Sequence, residues 1–163
     1  MKRRLSVAEA VRAASILYEL NSRPEGVLAL ARQADLSLAD AGAEKALLRE
    51  WRAFVHAAVL YGLMAQAPNI VVVEYLRATQ DMLRREGYSP REAESFVDGA
   101  FRAYVEPLLR EQPKECPAVF FRRLHGQELP DAPPRPVAVV SGVMAMIFAA
   151  VLDKLEHYEF AVD

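Results

Sequence analysis

Cysteine is almost absent from this chain, which contains one, Cys116, among 163 residues. A single thiol forms no internal disulfide and supplies no thiolate cluster for zinc, so the sequence predicts a protein of a reducing compartment, with the cytoplasm as the default. Cys116 precedes a predicted helix start, which would lower the pKa of the thiol, but the neighbouring Glu115 opposes that shift. We therefore interpret Cys116 as a structural thiol.

Local motifs of catalysis are also missing. The seven glycines form no phosphate-binding array, and Ser141 lies in an apolar helical pattern rather than in a Gly-x-Ser-x-Gly elbow. His56, His125 and His157 have no second histidine or cysteine at the spacing of metal ligands. The sequence therefore predicts no metal, no cofactor and no enzymatic activity, although an active site of dispersed carboxylates would leave no local motif.

The chain carries no strong net charge. Twenty basic and 22 acidic side chains give a net charge of −2, so no field steers the protein towards nucleic acid or an anionic membrane, and we expect neither as a partner. The basic start of the chain is followed by Glu9, Arg12 and Glu19, which argues against a signal peptide. The longest charge-free stretch, residues 137–152, would span about 24 Å as a helix, which is short for a membrane crossing.

Apolar residues recur every three or four positions along most of the chain, which predicts an all-α fold. We expect one helical domain over residues 1–163, an irregular bundle of about six helices. The helices should cover about residues 7–20, 24–34, 43–67, 70–86, 90–111, 117–125 and 137–158. Residues 70–73 are β-branched like a strand, but the helical spacing of apolar residues continues beyond them. Four prolines between residues 127 and 136 predict an extended connector.

Two capping boxes and one proline mark the ends and bends of these helices. Ser6 with Glu9, and Ser89 with Glu92, have the spacing at which each side chain accepts a hydrogen bond from a backbone N–H group at the helix start. Pro107 should kink or divide the fifth helix, because its ring meets the carbonyl group four residues earlier. The sequence therefore predicts a bent fifth helix.

The last helix is apolar on every side over residues 137–152. Such a helix must be surrounded, either by the rest of the domain or by a second copy of it. The small residues Ser141, Ala145 and Ala149 recur every four positions and would let another helix approach closely. The sequence therefore predicts a buried apolar C-terminal helix, with a homodimer through residues 137–152 as the sharper hypothesis.

A positive stripe runs along the long third helix. Neighbouring positive charges at helical spacing repel each other, so something acidic should compensate them. Acidic side chains of the same chain, such as Asp35, Asp40, Asp153 and Glu156, would suffice, and the alternative is an acidic protein partner. The stripe consists of Lys45, Arg49, Arg52 and His56.

A second basic feature is the pair Arg122 and Arg123, which follows Phe120 and Phe121. Such alternation of aromatic and basic residues suits a partner groove, whereas a short amphipathic helix would turn the phenylalanines inward. We include both arginines in the predicted partner-binding set. Our first hypothesis for function is a non-enzymatic interaction or regulatory domain that binds a protein partner through exposed helix faces.

The alternative hypothesis is a helical domain that binds an apolar small molecule or an acyl chain between its helices. Large aromatic and sulfur-containing side chains on different helices could line such a pocket. The predicted lining residues are Trp51, Phe101, Tyr104 and Met144.

Overall fold

The computed structural model describes residues 2–34, 36, 40–125 and 134–161, without the side chains of residues 125, 134 and 135. It confirms the all-α prediction. The α-helices are α1 (Val7–Asn21), α2 (Pro24–Gln33), α3 (Ala41–Gln66), α4 (Asn69–Arg85), α5 (Pro90–Ala100), α6 (Glu106–Leu109), α7 (Glu115–His125) and α8 (Pro134–Glu156). A π-helical turn, Phe101–Val105, joins α5 to α6, so that these three pieces follow one another without a loop.

Both predicted capping boxes are present. The backbone N–H of Glu9 donates to the Ser6 hydroxyl at 3.1 Å, and the Ser6 N–H donates to the Glu9 carboxylate at 3.1 Å. Ser89 and Glu92 make the same two bonds, at 3.1 and 3.2 Å. These exposed caps fix where α1 and α5 begin, because each satisfies two N–H groups that have no partner within the helix.

The α-helix is divided near Pro107, as one of the two predicted outcomes, by the π-helical turn. Proline has no N–H group, and in a regular α-helix its ring would press on the carbonyl of Ala103. The wider turn over Phe101–Val105 lies immediately before Pro107 and accommodates both effects. The helix then continues to Leu109 with Pro107 itself buried.

Helix α3 forms the centre of the core. Twelve of its 26 residues are buried, among them an unbroken run of eight from Ala53 to Leu60. Trp51, predicted as a core anchor, is 2% exposed and packs against Phe54 and Phe120, while its indole N–H donates to the carbonyl oxygen of Asn21 at 3.1 Å. The other helices surround α3, so the centre of the fold is α3 and not the C-terminal helix.

Two short strands close the fold. β1 (Arg3–Leu5) and β2 (Tyr158–Phe160) pair in parallel, with Arg3 opposite Tyr158 and Leu5 opposite Phe160. The sequence analysis extended the last helix to residue 158 and did not foresee either strand. Three residues are too few for the alternating pattern by which a strand is recognised.

Helix α8 begins earlier than predicted. The prolines between residues 127 and 136 were expected to exclude a helix, but α8 starts at Pro134 and has Pro136 in its first turn. The first turn tolerates proline, because the N–H groups there have no partner within the helix. Residues 127–133 of the predicted connector lie outside the described residues.

One side of α8 packs along α3. The ring of Phe148 lies 5.6 Å from that of Tyr61, and the Gln66 amide donates to the carbonyl oxygen of Leu152 at 3.3 Å. At Gly62 the two helices approach so closely that a Cβ atom would lie 2.6 Å from a methyl group of Leu155. Gly62 therefore sets the distance between α3 and α8.

A polar cluster lies within the core beside α3. His56 is fully buried and stacks on the ring of Tyr75, with its Nδ1 atom 3.2 Å from the Tyr75 hydroxyl. Among the residues that the structure describes, no hydrogen-bond partner reaches its Nε2 atom. Burial lowers the pKa of His56 to about 4, because the charged ring would lose its hydration. His56 is therefore a neutral core residue near neutral pH.

We predict that Gly62→Leu lowers the free energy of unfolding by about 1–3 kcal/mol, because the new side chain would push against the buried Leu155. The matched control is Gly26→Leu in α2, where a Cβ atom meets nothing within 4 Å. That substitution should be neutral or stabilising by up to about 1 kcal/mol, since leucine is a better helix former than glycine. Urea unfolding measures both, and equal effects would contradict the close α3–α8 contact.

We also predict that the buried state of His56 makes the protein less stable in mild acid. Below its ordinary pKa of 6.5 the unfolded chain takes up a proton that the folded protein accepts only near pH 4. The free energy of unfolding should therefore fall by about 2 kcal/mol between pH 7 and pH 5. His56→Phe should flatten this dependence in urea titrations, whereas the exposed His157→Gln should retain it; an unchanged slope in His56→Phe would refute the assignment.

Candidate functional site

The predicted positive stripe on α3 does not form one surface. Lys45 and Arg49 are exposed, Arg52 is partly buried, and His56 lies in the core. The exposure of these side chains falls from Lys45 to His56, because the N-terminal part of α3 is at the surface and its middle lies in the core. The expectation that His56 belongs to an exposed partner-binding stripe is therefore wrong, since no partner can reach a fully buried ring.

Arg52 is compensated inside the protein. Its guanidinium lies 2.7 Å from the carboxylate of Glu86, and its Nε–H donates to the Tyr18 hydroxyl at 2.8 Å. Burial raises the pKa of Tyr18 to about 12, so this hydroxyl stays protonated. The internal acid that we expected is thus present, but it is Glu86 at the end of α4 rather than the residues proposed from the sequence.

Arg122 and Arg123 are both exposed on α7, and Arg123 has a partner within the protein. The Nε–H of Arg123 donates to the Glu50 carboxylate at 2.7 Å, and the same carboxylate accepts a hydrogen bond from the Tyr104 hydroxyl. The guanidinium lies 5.9 Å from the centre of the Tyr104 ring. Arg123 therefore ties α7 to α3 and to the π-helical turn.

The four predicted ligand-binding residues do not come together around one pocket. Trp51 and Tyr104 are buried parts of the aromatic core, on either side of Phe54, and Phe101 is half-buried. Met144 alone lines a cavity. The aromatic residues were predicted as a lining because large size and aromatic character do not distinguish a filled core from a pocket wall.

The cavity that Met144 lines lies among α3, α6, α7 and α8, with a volume of about 500 Å³. Its polar wall residues are Lys114, Cys116 and Ser141. Burial, reinforced by the nearby Glu115, raises the pKa of Cys116 to about 11, so the thiol is uncharged, in keeping with its predicted structural role. The apolar wall includes Phe54, Leu108, Pro117, Met144, Ala145 and Phe148.

The residues that the structure describes contain no group of three histidine, cysteine or acidic side chains placed to hold a metal ion. That the protein needs neither metal nor cofactor stays a prediction from the sequence. The ion pairs described above join acidic and basic groups that hold helices together.

The outer side of α8 is an exposed apolar surface, which we call the outer face. Met146 is 71% exposed, the most exposed of the large hydrophobic side chains described. The C-terminal helix is thus apolar, as predicted, and partly buried, because the domain covers only the side that meets its neighbouring helices. The outer face consists of Ala138, Gly142, Ala145, Met146, Ala149 and Ala150, all exposed.

Within the described residues, one helical segment is long and apolar enough to cross a membrane by length and composition alone. This segment is Pro136–Glu156, with a mean hydropathy of 2.0. Of its most apolar part, 22% is buried in the protein. Exposed apolar surface of this extent usually marks a place where something else binds.

The outer face and the adjoining cavity are thus two features of the described residues that point to binding. They share α8, and Ala145 belongs to both. The predicted set of arginines and aromatic residues contributes mainly to the internal structure. Comparison with family models, with curated proteins and with solved structures gives no significant match, so the functional proposal rests on the geometry of these two features.

Proposed function

We propose that this protein is a non-enzymatic interaction domain that associates with a second copy of itself through the outer face of α8. The observation that carries the proposal is the apolar outer face itself, on which Met146 is 71% exposed. Covering this face with protein removes apolar surface from water, which is the main favourable term in association.

The outer face is complementary to itself. Met146 lies at the midpoint of Pro136–Glu156, and the small residues Gly142 and Ala150 lie one helical turn before and after it. Two antiparallel copies of α8 with a twofold axis near Met146 would place the two methionines beside each other and Gly142 of each copy opposite Ala150 of the other. In a twofold interface the same patch serves both copies, so each contact occurs twice.

Charge favours the antiparallel arrangement. Asp153, Lys154 and Glu156 are exposed at the C-terminal end of α8, where they give a net charge of −1, and no charged residue occurs between residues 136 and 152. Parallel helices would bring both acidic ends together, whereas antiparallel helices separate them by roughly the length of the helix. The antiparallel pair therefore avoids repulsion and also opposes the helix dipoles.

A second copy explains the outer face better than a lipid bilayer does. The charge-free stretch 137–152 is about 24 Å long, against a hydrocarbon core of about 30 Å. The inner side of α8 is joined to α3 by Gly62, Tyr61 and Gln66. Crossing a membrane would break these contacts, whereas a dimer leaves them in place.

We predict a dimer in sedimentation equilibrium, and we predict that Met146→Glu raises its dissociation constant at least about 100-fold. The substitution places a carboxylate of each copy near the twofold axis, where it loses hydration and faces its own counterpart. Met64→Glu is the matched control, because Met64 is also exposed, at 39%, but lies on α3 outside the outer face. The control should leave the dissociation constant within about twofold of wild type.

The arrangement can be tested further with Met146→Cys in a Cys116→Ser background. Oxidation should cross-link the two copies at residue 146, whereas Met64→Cys in the same background should remain uncross-linked. A monomer at high concentration would contradict the proposal. Flotation of wild-type protein with phospholipid vesicles, abolished by Met146→Glu, would equally refute it in favour of a membrane surface.

A further inference from the structure

The cavity beside α8 has the size and shape of a ligand site. Its volume of about 500 Å³ lies within the range of about 300–1,000 Å³ typical of small-molecule pockets. Phe54 and Leu108 form part of the wall from the core side, while Met144 and Phe148 of α8 line it opposite. A mostly apolar wall of this kind favours a hydrocarbon chain over a polar ligand.

One charged residue belongs to this wall. Lys114 is exposed, and among the described residues no acidic side chain forms an ion pair with it. The nearby acid Glu115 is paired with Arg110, at 3.1 Å. A lysine in the wall of a mostly apolar cavity thus complements a negative charge on the ligand.

The remaining polar groups of the wall do not oppose an anion. Ser141 carries an uncharged hydroxyl, and Cys116 is an uncharged thiol below about pH 11. Neither group repels a carboxylate, and both leave the rest of the wall apolar. The charge of the site therefore comes from Lys114.

We infer that this cavity binds a single-chain amphiphile with an anionic head, its hydrocarbon tail between α3 and α8 and its head beside Lys114. The apolar cavity and the charge of Lys114 select different parts of the ligand. The tail accounts for affinity through apolar burial, and the lysine selects the sign of the head. The site is distinct from the aromatic residues predicted from the sequence and shares only Met144 with them.

The first test is calorimetric titration of the full-length protein with octanoate, decanoate and dodecanoate below their micelle concentrations. Each added methylene should tighten binding about fourfold until the cavity is filled, after which affinity should level off. Decyltrimethylammonium, which has a decyl chain but the opposite charge, should bind more weakly than decanoate. Affinity that does not depend on chain length, or a cation that binds as well as decanoate, would overturn the inference.

The second test reverses the charge of the cavity wall. Lys114→Glu should weaken decanoate binding at least about tenfold and strengthen decyltrimethylammonium binding, while Lys45→Glu, an exposed lysine on α3, should change neither. Ser141→Leu should fill part of the cavity and shorten the longest chain that gains affinity. Equal effects of the two lysine substitutions, or an unchanged chain-length profile in Ser141→Leu, would assign binding to another part of the protein.

Discussion

The burial of α3 is the constraint on which the rest of this structure depends. Along the unbroken buried run from Ala53 to Leu60, no side of α3 faces water, so neighbouring helices must cover this part of the helix all round. Gly62 lets α8 come close on the side that remains, and the parallel strands then join the two ends of the chain. Contacts with α3 thus determine which residues of α8 are buried on its inner side, whereas its outer side is exposed.

Polar residues on a helix so deeply buried need hydrogen-bond or ion-pair partners within the protein. This need explains why several predicted site residues make internal contacts instead. Arg52 reaches Glu86 and Tyr18, and Glu50 reaches Arg123, so each pair also links α3 to a neighbouring helix. Of the predicted stripe, Arg52 and His56 therefore make contacts inside the protein, whereas Lys45 and Arg49 are exposed. Charge patterns in one helix do not identify the partners of Arg52 and Glu50, because those partners lie more than 30 residues away in the chain.

The sequence predicted those features that depend on neighbours in the chain. The two capping boxes, the helical spacing through residues 70–73 and the interruption of the α-helix before Pro107 are local effects, and the structure confirms them. The strand pair and the exposed side of α8 depend on contacts between distant segments, and the sequence carries little sign of them. Of the candidate site, the self-association segment 137–152 was predicted from its apolar character, whereas Lys114 was not, since one lysine in a loop has no pattern to distinguish it.

The two proposed binding functions meet on α8. Ala145 lies on the outer face and also lines the cavity, so a second copy and a ligand would contact adjoining sides of one turn of the same helix. A shift of α8 that improves one interaction changes the surface offered to the other. Linkage then requires reciprocity: whatever factor the ligand applies to dimer affinity, dimerisation applies to ligand affinity. An α8 that is held on one side by α3 and left apolar on the other is the element through which such coupling would act.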